Sequence, residues 1–275
     1  MIPRAAVVLL AALTASCGVR TMRLPSGPGA PLPDADARAL LAEATARCRD
    51  LRDLTAEAAV SGRVAGRRLR GRLLAGVDRA GSARLEAVAP FGRPFFVFVA
   101  TAGRATLLLP RDNRVVIGAP PAAVLDAVAG LPLDGSDLFH VLTGCPPEAP
   151  LVRAAAFGDD WREIRLAGDR PHAVYLRRSG DEGAPWRVAA DVADDAWRAE
   201  YRAYRSGMPH EARLSSAGPP ESGSPRFDIT IELSQIETNV ALDERTWTVE
   251  IPPDAEPITL EELRRSGPLG PPSHG

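Results

Sequence analysis

Four histidines (His140, His172, His210, His274) and three cysteines (Cys17, Cys48, Cys145) are the residues best suited to proton transfer, metal binding or nucleophilic attack. Their spacing supports none of these. No Gly-x-Ser-x-Gly elbow and no His-Glu-x-x-His pair occurs, and the cysteines lack metal-ligand spacing. His140 falls within the run SDLFHVL, where a histidine packs or meets solvent far more often than it acts as a base. The acidic pairs Asp159-Asp160 and Asp194-Asp195 read as solvated turns. The sequence therefore predicts no catalytic residue, no metal and no cofactor. A titratable cluster inside a cavity, with shifted pKa values, would revive an enzyme reading.

The chemistry that spacing does favour is acylation of one thiol. The N-terminus MIPRAAVVLLAALTASC has a single charge at Arg4, an apolar run from Ala5 to Leu13, and small residues before Cys17. This is the pattern of a secretory signal peptide, too short to span a bilayer as a stable helix. Thr14-Ala15-Ser16-Cys17 resembles a bacterial lipobox, with Thr14 where a branched aliphatic is usual. On this reading residues 1–16 are removed, Cys17 carries lipid, and the acyl chains replace a membrane span. An ordinary signal peptide with an incidental cysteine is the competing reading. Gly18 is not the Asp that retains some lipoproteins in the inner membrane, so the expected location is the outer membrane, facing the periplasm.

Residues 17–33 are rich in Pro and Gly and read as a tether that could extend over ~50 Å at polyproline pitch. Residues 34–258 form the expected folded domain, and 259–275 a tail that is partly disordered. Acidic residues (35) slightly outnumber basic ones (33, all Arg), and no basic block stands out, which argues against nucleic acid.

The elements that must position any site are mostly strands. Residues 34–54 show helical spacing at Leu40, Leu41, Ala44, Cys48 and Leu51. Short, turn-bounded runs at 55–64, 69–77, 83–89, 94–100, 105–110 and 114–118 predict consecutive antiparallel hairpins. Two short helices follow, at 120–129 and, capped by Ser136, at 136–142. Strands resume at 161–166, 173–178, 186–192, 197–204, 211–216, 227–237 and 246–250. Many strands, about three helices and few bulky apolar residues predict a mainly β (α+β) fold, a curved antiparallel sheet whose concave face the helices cover. An interior left unfilled by its own side chains suits an acyl chain.

The stretch from Arg63 to Pro146, with SARLEAVAPFGRPFFVFVA, RATLLLPRDNRVVIG and AGLPLDGSDLFHVLTGCP, resembles the lipoprotein-localisation proteins LolA and LolB, LolB most. Pro90, Phe91, Gly92, Gly130, Pro132, Leu138, Leu142, Gly144 and Pro146 stand where that family has its motif residues. The resemblance implies an open half-barrel with a helical lid. Its cavity would take the acyl chains of lipoproteins, from a periplasmic LolA-like carrier, and pass them to the outer membrane as a monomer. A lipid-binding lipoprotein with other cargo, or a non-catalytic sensor or assembly subunit, are the alternatives. The hairpin tip Pro90-Phe91-Gly92-Arg93 would touch membrane or cargo. Phe95, Val97 and Val99 alternate with Phe96, Phe98 and Ala100, so both faces of this strand are apolar, and one set should face the cavity while the other meets a covering element or the membrane. The candidates for lining or lid are Phe95, Phe96, Val97, Phe98, Leu107, Leu109, Val124, Leu125, Val128, Leu138 and Leu142. Cys48 and Cys145, on elements that would both cover the sheet, either pair as a disulfide or stay as buried thiols.

Overall fold

Strand alternation dictates the architecture. A computed structural model describes residues 21–88, 94–178, 185–217 and 225–266. In chain order its elements are β1 (Ala30–Pro31), α1 (Asp34–Ala44), β2 (Asp53–Val64), β3 (Arg67–Asp78), β4 (Ala83–Val88), β5 (Val97–Thr101), β6 (Arg104–Leu109) and β7 (Arg114–Ala119). After these come α2 (Pro121–Ala129), α3 (Gly135–Thr143), β8 (Leu151–Phe157), β9 (Trp161–Leu166), β10 (His172–Arg178) and β11 (Trp186–Ala193). The rest are β12 (Trp197–Arg205), β13 (Met208–Ser216), β14 (Phe227–Thr238), β15 (Glu256–Pro257) and α4 (Leu260–Ser266).

The fifteen strands among the described residues form one curved open sheet, in the order β1-β8-β9-β10-β11-β12-β13-β14-β2-β3-β4-β5-β6-β7-β15. Neighbours are antiparallel except β15, which runs parallel to β7. In β2 the even residues Leu54, Ala56, Ala58 and Val60 are buried; through the register Ala56↔Ala75 and Ala58↔Leu73 they share a face with the odd residues of β3. That shared face is the concave one, and α2 and α3 lie over it. Both sheet edges are two-residue strands that contain proline, which limits further pairing along the open borders.

Several elements differ from the sequence expectation. The helix read over 34–54 stops at Thr45, whose hydroxyl donates to the Leu41 carbonyl, and a 3-10 turn over Ala46–Asp50 carries Cys48 toward α3. The second lid helix is capped by Asp134 rather than Ser136: Asp134 Oδ1 accepts from the Asp137 N–H at 2.8 Å. The strand expected at 246–250 is instead a 3-10 turn, Glu244–Trp247, because the Asp243 carboxylate caps the Thr246 N–H at 3.0 Å. β8, β1 and β15 were not anticipated. Leu151–Phe157 is half alanine and arginine, and two-residue strands leave no pattern to read.

The terminal segments also differ from free chains. Part of the expected tether, from Thr21 onward, lies along the sheet. Arg213 donates to Thr21 Oγ1 at 2.7 Å, the Met22 N–H donates to Glu200 at 2.9 Å, and Leu24 packs on Ala173, Tyr175 and Ala190. Within the expected tail, Leu260–Ser266 is helical and buries Leu263, with α4 packed against α2.

Candidate functional site

The inner faces of the central strands are poor in bulk. Ala58 on β2, Ala75 on β3 and Ala87 on β4 are buried on the concave face where a filled two-layer core would carry Leu, Ile or Phe. α2 and α3 lie above the gap without filling it. What remains is a cavity of about 350 Å³. Its floor is Ala58, Ala75 and Ala87; its walls include Leu85, Phe96, Leu214, Ile229 and Ile231; its roof is Leu125 and Ala129 of α2 with Leu138, Val141 and Leu142 of α3. Among the described residues the only charged or polar ones bordering the cavity are Arg68, Arg70 and Arg72, all exposed. With Val88 and Phe95, also exposed, they mark where the cavity opens. β3 pairs with β4 only from Arg72 to Val77, so its stretch Arg67–Gly71, paired with β2 on one side, has no strand partner on the other among the described residues and borders the opening there.

The roof is fastened at both ends of α3. At the N-terminal end, Asp137 Oδ1 accepts from Trp197 Nε1 of β12 at 3.0 Å and from Arg170 at 2.6 Å, while Asp137 Oδ2 accepts from the Asp134 N–H at 3.1 Å. The first turn lies so close to the β3–β4 turn that a Cβ at Gly135 would meet the Gly81 carbonyl oxygen at 1.9 Å; only glycine fits. At the C-terminal end, Cys145 is bonded to Cys48 with their Cα atoms 5.7 Å apart. Beside the disulfide, the Arg79 guanidinium donates to the Leu51 and Cys48 carbonyls and lies over the Phe139 ring at 5.7 Å.

Of the expected lining residues, Phe95, Phe96, Leu125, Leu138 and Leu142 line the cavity. Phe98, Leu107, Leu109, Val124 and Val128 are buried in the same core without reaching it. Of the two alternating sets on β5, Val97 and Val99 are the one that leaves the cavity: they point to the opposite face, where Trp247, Val249 and Ala255 cover them, so Val97 is not a lining residue. By the same alternation Phe95 lies toward the outer side, 39% exposed, with the Arg111 guanidinium 3.7 Å above its ring. Cys17 and the tip Pro90-Phe91-Gly92-Arg93 lie outside the described residues. Sequence reasoning missed the alanine floor, although the alternation in AEAAV, LLAGV and ARLEAVA carried it.

One group of buried polar residues sits beside α3, apart from the lining. His172 Nδ1 is 2.9 Å from Asp191 Oδ1; the His140 ring is 6.2 Å from that of His172, and His140 Nδ1 is 2.7 Å from the Cys145 carbonyl. Tyr201 donates its hydroxyl proton to the His140 carbonyl at 3.0 Å. Burial holds the His140 pKa below the usual imidazole value, against the raising effects of its bond to Cys145 and of Asp191 and Asp137; neighbouring His172 adds to the lowering.

No family model and no curated protein matches this sequence. Solved structures do match its fold. A LolA superfamily protein from Nitrosomonas europaea aligns with a TM-score of 0.53 at 11% identity, over 78% of this chain and 97% of that one. A putative outer membrane lipoprotein-sorting protein domain from Vibrio parahaemolyticus aligns with a TM-score of 0.47 at 12% identity, over 77% of this chain and 97% of that one. The first of these places the chain in the LolA-like fold: an open, curved antiparallel sheet with helices across its concave face.

Proposed function

We propose that this chain is a lipid-anchored receptor and carrier that takes acyl chains of lipoproteins into its cavity and inserts those lipoproteins into the outer membrane. The observation that carries the reading is the cavity of about 350 Å³, apolar apart from arginines at its opening. The role we propose is binding and hand-over, without catalysis. At ~0.8 kcal/mol per buried methylene, a lodged chain of a dozen carbons holds on the order of 10 kcal/mol, so passage through free water would be very slow and hand-over must be direct. The lipobox-like Thr14-Ala15-Ser16-Cys17 supports the anchor, and the likeness in fold to a LolA superfamily protein supports the cargo class.

The volume also favours a second reading. Taking about 30 Å³ for a water-sized group, 350 Å³ holds roughly a dozen methylenes, which is one acyl chain rather than several. A carrier of single-chain lipids, such as free fatty acids, would need no more. Two experiments separate the readings. Native mass spectrometry of purified protein identifies any bound acyl chains, and expression in cells depleted of their own receptor tests rescue of lipoprotein sorting. Chains bound without rescue assigns the second reading, and no acyl chain bound under any loading condition removes both. Labelled-palmitate incorporation that survives Cys17→Ser would remove the anchor.

A further inference from the structure

The net charge of −2 hides a local concentration of the opposite sign. Between Glu57 and Asp78 the chain has five arginines and no acidic residue. The β2–β3 register sorts four of them onto one surface. Arg68, Arg70 and Arg72 alternate with the inward Leu69, Gly71 and Leu73, so they stand on the outer face over roughly 14 Å of strand. Arg63 is directly opposite Arg68, a like-charge pairing that opposes folding unless an anion answers it. None of the four has a carboxylate partner among the described residues. Asp228, the acid beside Arg63 on β14, is already held by Arg213 through two bonds of 2.7 and 2.6 Å. Glu86, on the β4 side, is held by Arg84 at 2.6 Å. Glu57 and Glu232 lie farther along the same face and form no ion pair with the stripe among the described residues.

Apolar side chains adjoin the charges. Leu74, next on the outer face of β3, is 45% exposed, and Val88, opposite Arg72 on β4, is 42% exposed. Arginines mixed with exposed Leu, Val and the Phe95 ring make the composition of a surface that rests in lipid headgroups. Position agrees. Arg213, Thr230, Ser61 and Arg70 are successive cross-strand neighbours, so Arg213, whose guanidinium holds Thr21, lies three strand spacings, about 14 Å, from Arg70. Cys17 is four residues before Thr21, a reach of at most ~14 Å. A lipid on Cys17 would thus hold this same face near a bilayer.

We propose that Arg63, Arg68, Arg70 and Arg72, with Leu74 and Val88, form a docking surface for a bilayer containing anionic phospholipid, which sets the cavity opening against the membrane. The inference rests on the proposed function only for the lipid on Cys17 and for the use made of the opening. The test uses the chain from residue 17 with Cys17→Ser, so that no lipid of its own holds it to a membrane. Cosedimentation is measured with phosphatidylcholine vesicles with and without phosphatidylglycerol, across a salt series. Binding should need phosphatidylglycerol and weaken with salt. The combined R68Q, R70Q and R72Q variant should bind roughly a hundredfold more weakly. The corresponding lysine variant should keep most of the binding, because a membrane reads charge rather than the guanidinium fork. Equal binding to both vesicle types, salt-insensitive binding, or a glutamine variant that binds normally would each overturn the inference. So would indifference to vesicles together with tight binding of polyglutamate, which would assign the face to an acidic protein. If the glutamine variant fails to fold, the lysine variant and the salt series of the parent chain decide. Loss of acyl-chain binding with vesicle binding intact would count against the carrier function alone.

Discussion

On the proposed function, replacing Ala58 with leucine should shorten the acyl chain that fits the cavity. Ala58 is 2% exposed on β2, its side chain part of the cavity floor. Leucine adds three carbons there, about a quarter of a space sized for roughly a dozen methylenes. A ligand that filled the cavity then leaves three methylenes unburied, at ~0.8 kcal/mol each, a loss of about 2.4 kcal/mol or roughly fiftyfold in affinity. A chain three carbons shorter should bind about as well as it does to the parent. Titration calorimetry with a series of saturated fatty acids of stepped length reads this directly: the optimum should move down by about three carbons. The melting temperature should hold or rise, since the new side chain enters empty space; overpacking a filled core would instead cost ~1–3 kcal/mol. Unchanged affinity at every chain length would place the ligand elsewhere. A large loss of stability would mean that the hollow beneath α2 and α3 is not empty, and the reasoning from alanine to cavity would fall with it.

Replacing Cys48 and Cys145 by serine opens a covalent loop of sequence separation 97 and should cost ~2–5 kcal/mol in urea unfolding; two reactive thiols in denatured, unreduced protein would refute the bond. Burial lowers the His140 pKa, with Asp137, Asp191 and His172 facing the ring, so as pH falls the unfolded chain takes up this proton first. Stability should fall as pH drops below about 6.5 and level off once pH passes the lowered folded pKa, and His140→Gln should flatten this part of the melting profile between pH 7.5 and 5. Phe91→Glu should leave the melting temperature and acyl-chain binding nearly unchanged while blocking delivery of cargo to membranes; delivery at the normal rate would make the aromatic tip merely structural.

The alternating strands were legible because a half-buried sheet writes its period of two directly into the chain, as in ARLEAVA and PFFVFVA. The same period gave both faces of β5 as covered, but not by what: Val97 and Val99 meet a segment nearly 150 residues later in the chain, around Trp247 and Val249, and such long-range cover has no local signal. The site was half legible. Leu138 and Leu142 stand on one side of a short helix, four residues apart, whereas Leu214, Ile229 and Ile231 reach the cavity only through the β13–β14–β2 pairing. Asp134 displaced Ser136 as the helix cap because its carboxylate joins a reciprocal pair with Asp137, which also ties the helix to Trp197 and Arg170. The arginine stripe was hidden by counting charge over the whole chain rather than by face.

The fastening of α3 at both ends, by Asp137 and by the Cys48–Cys145 bond, has a kinetic consequence. A roof that swung open would release cargo in one event, at a rate independent of cargo length. On the proposed function, with α3 so held, a hydrocarbon tail would thread through the opening beside Arg70 and Phe95, methyl end first, and leave by the reverse path. Each carbon withdrawn exposes one more methylene, so residence time should lengthen about fourfold per added carbon, at ~0.8 kcal/mol apiece. The pore edge then acts as a ruler: short tails exchange rapidly, while long ones stay until an acceptor bilayer is close enough to receive each carbon as it emerges.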